Sequence, residues 1–157
     1  MVDKTGEVQS LIDDKGRVPI AENLVFIDAS LDHFINQVYR VAKCRRDGDG
    51  FAARIEAARA LEPLLDGVFA LDGGRLRPFA KYLAWELRAH PLAKLPWAPE
   101  AFTALLLRVL SVADLAALQE LLAGIERLAR ASGHDAVFEA WGQSLDWMRA
   151  FQPAQPR

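Results

Sequence analysis

One cysteine, Cys44, stands in 157 residues, so no intramolecular disulfide is available and no cysteine cluster points to zinc. Neither charge dominates: 19 Lys and Arg face 21 Asp and Glu, a formal net charge of −2. That balance argues against a general nucleic-acid binder, whose domain is usually strongly basic. No apolar run approaches the roughly 20 residues of a membrane span. Met1-Val2-Asp3-Lys4 lacks the basic-then-apolar order of a signal peptide. These absences predict a soluble, cytoplasmic protein without membrane contact. Several catalytic signatures are missing too. The chain has no glycine-rich phosphate loop, no Ser/His/Asp order and no nucleophile elbow, and His33, His90 and His134 have no partner at metal-ligand spacing.

What is present is helical periodicity. The length and a hydrophobic fraction of 52% suit one compact domain. Residues 1–18 read as a non-helical arm or the remnant of a preceding domain, with Val8, Leu11 and Ile12 in either a short strand and connector or a frayed arm. A first helix covers 20–46, with Leu24, Ile27, Leu31, Phe34, Val38 and Val41 as its apolar stripe and Lys43, Arg45 and Arg46 complementing its C-terminal dipole. Asp47-Gly48-Asp49 resembles a calcium loop only superficially. The twelfth position, where a carboxylate is needed, is Ala58, so the run is a helix stop. A second helix covers 51–71, with Phe51, Ile55, Ala58, Leu61, Leu65 and Val68 on one side; Pro63 kinks it or starts a new one. A third begins near Pro78 and ends at His90-Pro91. An ordered proline-bearing loop follows, then helices over about 99–110, Ser111 to Ser132-Gly133, and Asp135 to Phe151. Residues 19–152 are therefore read as an all-α antiparallel helical bundle of five to six helices, with 153–157 a loose tail.

Two polar clusters carry the chemistry. Tyr39, Arg40 and Lys43 share one flank of the first helix, where Arg offers a fork and Lys a point charge to a phosphate. Lys81, Tyr82, Trp85 and Glu86 crowd a cation, a phenol, an indole and a carboxylate into two turns of the third helix. Trp85 has the geometry to stack on Arg88 or a ligand ring. Glu86 has the reach to orient Lys81 or Arg40, or to accept a substrate proton. If the two clusters face each other, they line an anion pocket. The competing reading of both is an ordinary amphipathic surface, with solvated cations and half-buried aromatics.

The pattern Tyr39-Arg40-x-x-Lys43-Cys44, Ala53-Arg54-x-Glu56-Ala57 and Pro78-Phe79-x-Lys81-Tyr82-Leu83-x-Trp85-Glu86-Leu87 resembles the C-terminal helical region of bacterial nucleotidyltransferase-like proteins, in the superfamily of the aminoglycoside nucleotidyltransferases. The match covers residues 28–92. Val2-Asp3-Lys4-Thr5-Gly6 is similar to the closing strand and turn of the catalytic domain that precedes that region. The resemblance implies a helical accessory domain that binds substrate. Arg40, Lys43 and Lys81 would then be phosphate contacts, Tyr82 and Trp85 would line the cleft or core, Glu86 would orient an acceptor or a lysine, and Tyr39 would be a further nucleotide- or substrate-binding residue. The Gly-Ser turn and Asp-x-Asp pair that hold magnesium in that superfamily are absent here. The chain is then a fragment or a stand-alone relative without catalysis of its own. Mg²⁺ and a nucleoside triphosphate become its cofactors only in company with a catalytic domain, in cis or in trans. The alternative is a non-enzymatic helical interaction module, as a homodimer, suggested by Val25, Phe26 and Leu105-Leu106-Leu107 beyond any single stripe. A third resemblance is narrower: Arg127 and His134, separated by six residues, are similar to the spaced Arg…His element of HEPN-type ribonucleases.

Overall fold

The computed structural model describes residues 15–153 and is all-α. Seven helices are bounded among the described residues: α1 (Ile20–Arg46), α2 (Gly50–Leu71), α3 (Ala80–Ala89), α4 (Pro99–Val112), α5 (Leu115–Ala131), α6 (Asp135–Glu139) and α7 (Gly142–Ala150). The strand expected at Val8–Ile12 and the Val2–Gly6 turn lie outside the described residues. Of the arm, Val18 N–H donates to Gly74 at 2.7 Å and Leu76 N–H to Gly16 at 2.8 Å, pinning it to the loop after α2.

α1 and α2 form a long antiparallel hairpin, the centre of the molecule. Asp47 to Asp49 close it, as expected of a helix stop, and the Asp49 carboxylate caps α2 by accepting from Ala52 N–H at 2.9 Å. The apolar side of α2 differs from the expected stripe. Phe51, Ile55 and Ala58 are exposed, whereas Ala53, Ala57 and Ala60 are fully buried. Small side chains on the covered side let the two helices approach closely. Likewise Leu24 is exposed while Ile27, Leu31, Phe34, Val38 and Val41 are buried as the periodicity required. α2 runs through Pro63 as one helix.

The remaining helices wrap this hairpin. α5, α6 and α7 contact α1, α4 contacts α2 and α5, and α3 rests on α4. Ala113, in the left-handed region at φ 50°, breaks α4 from α5, and Asp114 then caps α5 through Ala117 N–H. The last expected helix is split in two, because Gly142 takes φ 45° behind the Ala140–Trp141 turn. Among the described residues, no helix is long and apolar enough to cross a membrane.

Candidate functional site

A polar stripe runs along α1 at helical spacing: Ser30, His33, Gln37 and Arg40. It faces Arg59, Pro63 and Asp66 of α2 across a groove of about 670 Å³. Pro63 has no N–H to give the Arg59 carbonyl one turn earlier, so α2 presents a weakened stretch of backbone here. Ser30 and Gln37 are buried despite their polarity. Gln37 Nε2 donates to His33 Nε2 at 3.3 Å, and Gln37 Oε1 is buried without a partner. Beyond Arg40 the groove opens into a second hollow of about 420 Å³, lined by Asn36, Tyr39, Lys43, Cys44 and Glu56. Arg40 lines both.

Charge in this region is uneven. Glu56 Oε1 lies 3.8 Å from Arg40 Nη1 and 3.5 Å from Arg59 Nη1, so one carboxylate serves two guanidiniums. Its other oxygen, Oε2, is buried and unpartnered. Asp47 is held by Arg46 at 2.7 Å; that hydrogen bond keeps the Asp47 carboxyl below its usual range. Two guanidiniums, Arg40 and Arg59, therefore share one carboxylate, and Lys43 lines the hollow beside them. The Cys44 thiol is pushed up, first by burial and then by the nearby charges of Asp49, Glu56 and Asp47, which suits an uncharged thiol rather than a nucleophile.

The sequence-expected residues separate into three settings. Arg40 and Lys43 lie on the groove and its hollow. Tyr39 is built into an aromatic cluster, 5.8 Å from Trp141 and 5.6 Å from Trp147 between ring centroids, with the Lys43 ammonium 5.3 Å from its ring. Lys81, Tyr82, Trp85 and Glu86 stand elsewhere, because α3 rests on α4 and does not pack against α1. Lys81 sits over the Tyr82 ring at 4.7 Å, and Trp85 meets His90 edge-on at 5.6 Å rather than stacking on Arg88. Glu86 accepts from Arg75 at 2.6 Å, not from Lys81 or Arg40, and Arg75 also holds Asp72 and the His90 carbonyl. Glu86 thus fastens α3 to the loop before it.

His33, Gln37, Glu56 and Arg59 do not stand out as clustered charges in the sequence, and Glu56 appears there only within the Ala53–Ala57 motif. Their signal was the period of the polar residues along α1, together with the Glu56–Arg59 spacing one turn ahead of Pro63. His134 is buried and pairs with Asp28 at 2.6 Å, tying the α5–α6 junction to α1, while Arg127 is exposed. Among the described residues, no group of three or more His, Cys, Asp or Glu is arranged to hold a metal ion. Compared with known proteins, the chain matches no family model, no curated protein and no solved structure.

Proposed function

We propose that the chain is a helical substrate-binding domain of a nucleotidyltransferase-like protein. In this reading the α1–α2 groove receives the phosphates of a nucleoside triphosphate, and the chemistry is supplied by a catalytic domain in cis or in trans, within the cytoplasm. The observation that carries it is the weak pairing of the cations: Arg40 and Arg59 share Glu56 at 3.8 and 3.5 Å with Lys43 beside Arg40, while the other lining carboxylates, Glu62, Asp66 and Asp47, are taken by Arg77 and Arg46. A guanidinium fork and an ammonium suit a phosphoryl group, and the hollow at Arg40 has room for one. Lys81 belongs to this reading only if a partner domain bridges α3 to the groove. The test is calorimetric titration of ATP with Mg²⁺ into the full chain at fixed ionic strength. Arg40→Ala and Lys43→Ala should each weaken binding by about tenfold, the loss of one charge-assisted contact. Lys81→Ala should leave it unchanged in the absence of a partner. Binding indifferent to Arg40 and Lys43 sinks the proposal.

A second reading, an interaction module that self-associates, draws on a different observation. Phe79, at the N-terminal cap of α3, and Tyr82 and Trp85 along it are 80%, 50% and 56% exposed. Aromatic side chains left in water along one short helix suit a contact with another chain. Light scattering separates the two readings, since a strict monomer that binds nucleotide removes the second.

A further inference from the structure

We propose that Glu56 is the built-in counter-ion of a phosphoryl-binding pair, Arg40 and Arg59, and that an incoming phosphoryl group binds by taking both guanidiniums from it. The inference rests on the groove reading above and adds Arg59 as a binding residue and Glu56 as the group that sets affinity.

The geometry points to a weakly made arrangement. Neither arginine forms a close fork with the carboxylate; the separations are 3.8 and 3.5 Å, beyond good charge-assisted hydrogen bonds. Both guanidiniums remain largely open to solvent, with side-chain exposures of 53% and 63%, whereas the Glu56 side chain is only 15% exposed. One Glu56 oxygen is shared and the other is buried with nothing to accept from. The two arginines come from different helices, Arg40 from α1 and Arg59 from α2, and both line the same groove. A phosphoryl group has three peripheral oxygens and more charge than a carboxylate, so it satisfies two forks where Glu56 satisfies neither. Lys43 joins Arg40 on the adjoining hollow, which Glu56 also lines and where Asp47 is already held by Arg46. His33 and Gln37 continue the lining on the other side of Arg40, beside the unpartnered Gln37 oxygen.

The competition has a sign. While Glu56 is charged it lowers the potential that draws an anion in, so removing its charge without changing its shape must tighten anion binding. A carboxylate that merely scaffolds the arginines would do the opposite, because its loss would free them to move.

The experiment titrates inorganic tripolyphosphate, and separately ATP with Mg²⁺, into the full chain and into Glu56→Gln, Arg59→Ala and Arg40→Ala, at constant ionic strength. Thermal melts confirm that each variant is folded. Glu56→Gln should bind both ligands about three- to tenfold more tightly, and Arg59→Ala should weaken both by about as much as Arg40→Ala. Arg59→Lys should recover part of the loss, since the charge returns without the fork. Unchanged or weaker binding by Glu56→Gln overturns the counter-ion role, as does a response seen with ATP and not with tripolyphosphate. If Arg40→Ala weakens binding while Arg59→Ala does not, the groove reading stands and this inference falls. If neither the natural chain nor Glu56→Gln takes up either ligand, both fall together.

Discussion

Asp114 has two partners in the break between α4 and α5. Its carboxylate accepts from Ala117 N–H at 3.1 Å, capping α5, and from Arg108 at 2.8 Å. Burial pushes its carboxyl upward, but the Ala117 bond and the Arg108 guanidinium outweigh that and hold it below the usual range. A depressed folded-state value means the charged form stabilises the fold. That contribution is complete above the unfolded value near 3.9 and is lost as pH falls through the folded one. Asp114→Asn keeps a capping oxygen but removes the charge. The variant should be less stable than the natural chain by about 1 kcal/mol at pH 7, and the gap should close as pH falls through the lowered folded-state value. Urea melts of both proteins across that range check it; a gap that persists in acid would mean that Asn fails as the cap.

At the scale of the element, two helical glycines invite the same substitution with opposite outcomes. A Cβ on Gly67 in α2 would lie 3.6 Å from Leu31 and Ser30, an ordinary contact. Gly67→Ala should therefore add stability of about 0.5–1 kcal/mol through helix propensity alone. A Cβ on Gly124 in α5 would sit 2.2 Å from the Trp97 ring. That ring stacks on Phe102 at 6.0 Å and holds the loop before α4 in place, so Gly124→Ala should cost about 1–3 kcal/mol. Denaturant melts give both signs, and a tolerated Gly124→Ala would show that the loop is free to lift. The elements themselves were largely legible. α1 was bounded by its stripe and by Asp47-Gly48, and the loop carrying Trp97 by its prolines. What escaped was whatever depends on a partner far away in sequence. Arg45 sits in the last turn of α1, as its position in the sequence requires, and its guanidinium also donates to the Val112 and Ala113 carbonyls, satisfying the end of α4. Lys94 does the same for Leu71 at the end of α2, at 2.8 Å. Both caps are tertiary and leave no local signature. The alanine-lined side of α2 escaped because Phe51 and Ile55 outweigh Ala53 and Ala57 in any hydrophobic count.

Over the whole molecule, the two polar clusters do not line a common groove: one is on the α1–α2 hairpin and the other on α3, which rests on α4. Sequence spacing exposed each cluster but not their separation, because helix order does not fix which helices touch. Arg40 and Lys43 were found as a local pair, whereas Glu56 and Arg59 entered the site only through the packing of α2 on α1. The separation matters for association. Phe79, capping the start of α3, and Trp85 on it are exposed, so their burial contributes little to folding. Replacing both by serine should change stability by less than about 1 kcal/mol in total. It should also leave ATP binding unaltered, since neither side chain lines the groove. Any self-association or docking of a partner domain through α3 should be lost in the same variant, because aromatic anchors dominate such contacts. Light scattering and the ATP titration, run on one preparation of Phe79→Ser/Trp85→Ser, separate the two surfaces. Loss of association with intact nucleotide binding assigns α3 to protein contact and the hairpin groove to phosphate. Loss of ATP binding would show instead that the two sides are energetically coupled.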